Sequence, residues 1–133
     1  MKKKSLSSMR RTVDAFLAHH GLGHEAPYML TAGAALYVWG LRDTYSDIDI
    51  IVPDMLEEHG AMAVYGQEIE GGNLESWRTI PLFDVDRAWK DRRWVDGVWV
   101  MSLPDLLRFK VALNRPKDQA DIQRLLTILR PAG

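Results

Sequence analysis

Residues 47–52, Asp-Ile-Asp-Ile-Ile-Val, constrain the fold of this chain more than any other segment. Side chains of a β-strand alternate between the two faces of a sheet, so Asp47 and Asp49 share one face. The two isoleucines between and after them point to the other face, into a core. The alternation predicts a strand over residues 46–52, which Pro53 ends.

The acidic face of this strand predicts a cation site. Two carboxylates side by side on a rigid strand repel each other unless a cation lies between them. Mg²⁺ is the expected cation, because it prefers hard oxygen ligands and is often shared with substrate phosphates. The alternative is that Asp47 and Asp49 are two exposed acids on the solvent face of an edge strand.

Composition limits the classes of protein and of site. The chain has 133 residues, enough for a core, and its net charge of −1 argues against a generally basic nucleic-acid-binding surface. It has no cysteine, which excludes disulfides, thiolate zinc sites and cysteine nucleophiles. No apolar run could span a bilayer and no signal-peptide pattern is present, so we expect a cytoplasmic protein without membrane contact.

Hydrophobic periodicity and turn residues divide the chain into short elements. Helices are predicted over residues 8–20, 35–39, 53–59 and 87–92, with two more starting at Ser102 and near Pro116. Strands are predicted over residues 28–31, 46–52, 62–69, 77–85 and 98–101, with turns at residues 32–34, 71–73 and 96–97. This order predicts an α+β fold, a small mixed β-sheet flanked by helices with a C-terminal helical pair. We expect one domain over residues 1–133 with its core at about residues 28–126.

A candidate phosphate site lies just before the acidic strand. Gly33 and Ala34 lie in a tight turn whose backbone amides can approach a phosphate closely. Arg42, Thr44 and Ser46 follow between this turn and the strand, and all three are suitable partners for a phosphate or a metal. The alternative for Gly33 is a tight turn without a ligand.

A third carboxylate would complete the cation site. Asp84 and Asp86 share one face of the strand predicted over residues 77–85. If that strand lies beside the first, Asp84 completes a three-acid cluster that could hold two Mg²⁺ ions and activate a hydroxyl. Three alternatives stay open: Asp86 is the third acid, Asp86 caps a following helix, or both acids form the wet side of a strand.

The C-terminal helices supply the cationic candidates. Lys110 follows the buried leucine stripe of the helix that starts at Ser102, so its ammonium needs an acidic or phosphate partner, or must extend to water. Arg115 lies at the start of the next helix. Asp118 complements the dipole of that helix, and Asp121 is expected to pair with Arg115 or Lys117.

With these segments in place, the chain resembles the DNA polymerase β-like nucleotidyltransferase superfamily. Three segments carry the resemblance: AGAALYVWGLRDTYSDIDIIV, LFDVD and SLPDLLRFKVALNRPKDQADIQRLL. The nearest branch looks like the abortive-infection (AbiEii-type) toxin nucleotidyltransferases and related small bacterial and phage proteins. The chain departs from the family at Ala32, often a glycine, and at Ala34, where a serine or glycine is usual.

The resemblance implies a function and a set of site residues. The activity would be transfer of a nucleoside monophosphate from an NTP to a hydroxyl of RNA or protein, in a toxin-like role with an antitoxin or another protein partner. The metal ligands would be Asp47, Asp49 and Asp84, holding two Mg²⁺ ions. The NTP would contact Gly33, Ala34, Arg42, Thr44, Ser46 and Arg115, and Lys110 and Asp118 would hold the triphosphate or assist the transfer. The alternative is a catalytically inactive nucleotide-binding or protein-interaction module with the same fold.

Overall fold

The computed structural model describes residues 5–23, 25–53, 60–64 and 67–130. The helices are α1 (Leu6–His19), α2 (Ala32–Val38), α3 (Leu74–Trp77), α4 (Val85–Lys90), α5 (Leu103–Leu113) and α6 (Gln119–Leu129), with a 3-10 turn at Pro116–Asp118 before α6. The strands are β1 (Met29–Thr31), β2 (Ile48–Ile51), β3 (Gly60–Val64), β4 (Gln67–Gly72), β5 (Arg93–Val95) and β6 (Val98–Val100). The predicted α+β fold, with a mixed sheet between helices, is confirmed.

The six strands form one sheet in the order β3-β4-β2-β1-β6-β5. The acidic strand β2 is central, antiparallel to β1 and parallel to β4. Strand β1 runs parallel to β6, and the two edges of the sheet are antiparallel hairpins, β3-β4 and β5-β6. The central position of β2 buries Ile48 and Ile50 completely, as the alternation predicts.

Helix α1 begins where Ser5 caps it, its hydroxyl oxygen accepting a hydrogen bond from the Ser8 N–H at 3.1 Å. Its apolar stripe, which includes Phe16 and Leu17, is fully buried in the core. The predicted helix at residues 8–20 therefore exists and starts two residues earlier.

The C-terminal helical pair has the predicted caps. The Ser102 hydroxyl accepts a hydrogen bond from the Asp105 N–H at 3.3 Å and starts α5. Asn114 ends α5 in the left-handed conformation, with φ of 47°, which suits asparagine better than most residues. The chain then reverses through the 3-10 turn into α6, which packs against α5.

The segment between β4 and β5 differs most from the prediction. The strand predicted over residues 77–85 is wrong: α3 and α4 lie there, capped by Asn73 and Asp84. The turn predicted at residues 71–73 is wrong as well, because Gly71 and Gly72 continue β4. The side chains of Asn73 and Asp84 accept hydrogen bonds from the third N–H of each helix, so capping decides the structure of this segment.

Smaller differences concern element ends. The turn predicted at residues 32–34 is already the first turn of α2, and the predicted strand at residues 62–69 is divided between β3 and β4. The helix predicted over residues 53–59 lies, except for Pro53, outside the described residues. In the part of the chain that the structure describes, no helix is both long enough and apolar enough to cross a membrane.

Candidate functional site

A row of polar side chains crosses the centre of the sheet. Thr31 of β1 pairs with Asp49 of β2, and Asp49 pairs with Glu70 of β4. Residues directly opposite one another on neighbouring strands place their side chains on the same face. The sheet therefore brings together a hydroxyl and two carboxylates from three strands. We call Thr31, Asp49 and Glu70 the polar row.

Asp49 is the acid that this arrangement changes most. The pKa of its carboxyl group is raised to about 6, most of all by burial and then by the negative charges of Glu70 and Asp47. Hydrogen bonding with the Glu70 side chain acts in the same direction, while the positive charge of Lys110 opposes it. Asp49 thus shares its site with acids more than with cations, and an added cation would favour its ionised form.

Thr31 adds an unsatisfied hydroxyl to the polar row. Its side chain is fully buried and its Oγ1 has no hydrogen-bond partner among the described atoms. A buried hydroxyl without a partner costs free energy, and such atoms are uncommon in folded proteins. This one lies beside Asp49 in the strand register.

Asp84, the predicted third acid, does not join the polar row. It lies at the N-terminus of α4, where its Oδ1 accepts a hydrogen bond from the Arg87 N–H at 3.1 Å. Asp86 is the other candidate, and it binds the exposed Arg78 with a contact of 2.7 Å. Both predictions rested on a strand over residues 77–85 that does not form. Glu70 occupies the place beside Asp49 instead.

The acids do not form a complete three-ligand set by themselves. Across residues 5–23, 25–53, 60–64 and 67–130, no three histidine, aspartate or glutamate side chains lie together as a metal site. Asp47 is exposed at the start of β2, next to the buried Ile48. The polar row therefore offers two adjacent carboxylates, with a third two residues away.

A cavity opens beside the two carboxylates. Its volume is about 280 Å³, and Asp49 and Glu70 form its acidic wall. Trp77 and Ile80 supply apolar surface, and Ser76 and Thr79 supply hydroxyls. This size lies near the lower end of ligand pockets, which span about 300–1,000 Å³. A mixed lining of this kind suits a ligand with a planar apolar part and polar edges.

Lys110 lies deeper than the predicted phosphate-binding lysine should. Its side chain is 4% exposed, and its Nζ donates a hydrogen bond to Asp118 Oδ1 at 2.9 Å. The same Nζ lies 3.4 Å from Asp121 Oδ2. Its contacts are therefore with two buried aspartates of the α6 segment. Its effect on the polar row is electrostatic, because its positive charge lowers the pKa of Asp49.

Two arginines complete this second charged group, and Asp121 pairs with Arg42 and Lys110 instead of the predicted Arg115 or Lys117. Arg115 Nε donates a hydrogen bond to Asp118 Oδ2 at 2.6 Å, and Arg42 Nε donates one to Asp121 Oδ1 at 3.3 Å. We call the five residues the ion network: Arg42, Lys110, Arg115, Asp118 and Asp121. Burial raises the pKa of both aspartates, but the hydrogen bonds from these cations outweigh it and lower both pKa values.

The predicted phosphate residues divide between two places. Gly33 and Ala34 lie in the first turn of α2, and the Ala34 side chain is buried in the core. Thr44 and Ser46 are exposed and line a groove of about 680 Å³ between the loop before β2 and α6. Arg42 also lines this groove. Arg42 thus lies between this groove and the Gly33 turn.

Comparison with known proteins gives one result on the fold. A crystal structure from Thermotoga maritima, described as a putative nucleotidyltransferase, aligns with a TM-score of 0.58. The alignment covers 93% of this chain and 96% of that one, at 14% sequence identity. The two chains share a fold. No protein-family model matches this chain, and no curated protein matches it significantly.

Glu70 is the site residue that sequence reasoning missed. Residues 68–70 read Glu-Ile-Glu, which repeats the acid-isoleucine-acid alternation of the β2 segment. That alternation predicts a strand with Ile69 in the core and both glutamates on the opposite face. The structure buries Ile69 completely and pairs Glu70 with Asp49. The two glycines that follow also suit a turn, and the turn predicted there ends the strand before Glu70.

Proposed function

We propose that the chain is a Mg²⁺-dependent nucleotidyltransferase that moves a nucleoside monophosphate from an NTP to a hydroxyl of RNA or protein. The observation that carries the proposal is the adjacent pair Asp49 and Glu70 at the wall of a cavity. The shared fold with the Thermotoga maritima protein supports the reaction class.

The polar row fits a divalent cation. Asp49 and Glu70 are hard oxygen donors, and the raised pKa of Asp49 reflects burial and repulsion that a cation would relieve. Mg²⁺ is usually bound through one or two carboxylates together with water and substrate phosphates, so a complete set of protein ligands is not required. Asp47 is the third expected ligand. Mg²⁺ would supply charge neutralisation at the phosphates and would lower the pKa of a bound hydroxyl.

In the proposed reaction the acceptor hydroxyl oxygen attacks the α-phosphorus of the NTP. The bond from that phosphorus to the oxygen bridging the α- and β-phosphates breaks, and pyrophosphate leaves with the bonding electron pair. A carboxylate of the polar row accepts the hydroxyl proton. The chain contributes by orienting the two reactants and excluding water, which is how most catalysis of phosphoryl and nucleotidyl transfer is achieved.

The cavity beside the polar row is the proposed nucleoside site. Trp77 offers an aromatic surface at its wall, and its ring lies 5.2 Å from the Phe109 ring, which holds it in place. Ser76 and Thr79 could form hydrogen bonds with the edge of a base or with a ribose. The Gly33 turn follows Thr31 by two residues, so it lies close to the polar row and suits the phosphates.

The test uses α-³²P-labelled NTPs, Mg²⁺, and RNA and protein fractions from a bacterial extract. Wild type should leave label on an RNA or a protein after denaturing electrophoresis. Glu70→Gln should reduce that label by about 100-fold or more, since it removes a carboxylate that would hold Mg²⁺ at the reacting phosphate. Asp84→Asn is the matched control, and it should keep the label. Equal labelling by wild type and Glu70→Gln would exclude this site as the catalytic one.

A second candidate function is nucleotide binding without transfer. It is favoured by Ala34, where the resembling family usually has a serine or glycine, and by the lack of three converging acids in the described part of the chain. It predicts NTP binding by wild type and no labelled product with any fraction. The toxin role, the antitoxin partner, the AbiEii-type branch, the second Mg²⁺ ion and the cytoplasmic location stay predictions from sequence.

A further inference from the structure

The side chain of Arg42 is fixed from one side by Asp121. Its Nε donates to Asp121 Oδ1 at 3.3 Å, and its Nη2 donates to Asp121 Oδ2. Two parallel contacts of this kind fix the plane of a guanidinium group as well as its position. The Arg42 side chain is 34% exposed, so the fixed group still faces solvent.

The third nitrogen of this guanidinium lies over the Gly33 turn. Arg42 Nη1 is 2.9 Å from the position that a Cβ atom on Gly33 would occupy. A side chain at position 33 would therefore displace the guanidinium. The space at position 33 is limited by the close approach of Arg42 and not by a positive φ, since Gly33 is not among the residues with positive φ.

Asp121 can hold Arg42 because it is itself fixed. Its side chain is 4% exposed and lies 3.4 Å from Lys110 Nζ, which also binds Asp118. The charge of Lys110 is thus balanced inside the ion network. Arg42 is the member of the network that reaches the Gly33 turn. An anion approaching that turn would meet Arg42 before Lys110.

We propose that Asp121 is a positioning residue that holds Arg42 Nη1 over the Gly33 turn, where it binds a phosphate oxygen of the nucleotide. This inference rests on the proposed function for the identity of the ligand. The sequence predicts Arg42 among the nucleotide contacts, and the inference adds Asp121 as the residue that positions it. It also makes phosphate affinity depend on α6, because Asp121 belongs to that helix.

Binding, measured by calorimetry with no acceptor present, tests the inference. The probes are the four NTPs, each with Mg²⁺, and inorganic tripolyphosphate with Mg²⁺. Arg42→Gln and Asp121→Asn should each weaken binding of the preferred NTP and of tripolyphosphate by about tenfold or more, the effect of losing one charge-assisted hydrogen bond. Arg42→Lys should also bind both probes more weakly, because an ammonium cannot form the bidentate contact with Asp121.

Gly33→Ala keeps the test decisive if Asp121→Asn does not fold. The methyl group would move only the flexible end of Arg42, so the melting temperature should stay near that of wild type while tripolyphosphate affinity falls. Lys117→Gln is the matched control, because Lys117 is an exposed cation in the same groove and not at the turn. Its affinity should stay within about twofold of wild type.

Three results would overturn the inference. The first is that wild type binds none of the probes. The second is that Arg42→Gln and Gly33→Ala both keep full affinity. The third is that Lys117→Gln and Arg42→Gln lose affinity equally, which would indicate general charge attraction. Failure of the proposed function looks different. Wild type would then bind tripolyphosphate in an Arg42-dependent manner and transfer no label to any acceptor.

Discussion

The polar row and the ion network are two groups of acids that the fold treats in opposite ways. In the polar row, Asp49 faces two other acids and burial raises its pKa to about 6. In the ion network, Asp118 and Asp121 are more buried than Asp49, yet their pKa values are lowered. The difference lies in the hydrogen-bonded cations, which the ion network contains and the polar row lacks.

This contrast separates acids that stabilise the fold from acids that await a ligand. Each aspartate of the ion network contacts two of its three cations, and these contacts tie the loop before β2 to α5 and α6. The polar row has no such balance, so its charge is available to something from outside the chain. Uncompensated acids beside a cavity are the pattern expected of a functional site.

Removing the central cation of the ion network should have the largest effect. Lys110→Met leaves Asp118 and Asp121 buried without the ammonium that they share. Because Asp118 keeps Arg115 and Asp121 keeps Arg42, we expect a loss of about 1.5–3 kcal/mol in the free energy of unfolding, the contribution of a hydrogen bond to a charged group. Urea unfolding followed by circular dichroism measures it.

Lys117→Met is the control for this loss, because it removes an exposed lysine only seven positions away along the chain. It should change the free energy of unfolding by less than about 0.5 kcal/mol. A Lys110→Met variant as stable as this control would mean that the ion network does not hold the C-terminal helices in place.

Removing a charge from the polar row should raise the free energy of unfolding, whereas removing one from the ion network should lower it. An acid whose pKa is raised by folding destabilises the folded state above that pKa, because the unfolded chain ionises more easily. Asp49→Asn should therefore stabilise the protein at pH 8, by at most about 3 kcal/mol at about 1.4 kcal/mol per pKa unit. The gain should shrink as the pH falls through 6 and vanish below about 4.

Thermal unfolding of both proteins between pH 4 and pH 8, without divalent ions, measures this gain. Asp43→Asn is the matched control, since Asp43 is exposed and is not among the charges that act on Asp49, so its loss should change stability little. Mg²⁺ at millimolar concentration should stabilise wild type more than Asp49→Asn. A variant that is less stable than wild type at pH 8 would show that the Asp49 charge is already balanced in the free protein.

A smaller effect concerns the pKa of Asp49 itself. Glu70→Gln removes the charge that ranks next to burial among its causes, so the Asp49 pKa should fall toward its ordinary value. Carboxyl carbon shifts followed by NMR during a pH titration report this directly. An unchanged Asp49 pKa would mean that Glu70 does not face Asp49, and the polar row would be wrong.

Most of the fold follows from local sequence signals. The acid-isoleucine alternation fixes β2, and the Ser102 cap with its leucine stripe fixes α5, because both depend on residues a few positions apart. Residues 77–85 were harder, since the alternation Leu-Phe-Asp-Val suits a strand as well as a turn leading into a helix. Leu82 adopts a positive φ of 64°, which interrupts any strand there.

The candidate site depends on contacts that no local signal reveals. Asp49 was predicted from its own strand, but its partner Glu70 becomes visible only when β4 is known to pair with β2 in parallel. Lys110 was correctly expected to need an acidic partner. Its pairing with both Asp118 and Asp121, which takes it away from a phosphate, depends on how α5 packs against α6.

The smallest expected effect tests whether Asp84 belongs to the polar row at all. Asp84→Asn should leave both stability and the Asp49 pKa unchanged, because asparagine caps a helix about as well as aspartate. Asp84→Ala should cost about 1 kcal/mol through loss of the cap on α4, again without changing the Asp49 pKa. The same NMR titration and urea unfolding measure both variants. A shift of the Asp49 pKa in Asp84→Asn would place Asp84 beside the strand after all, as the sequence predicts.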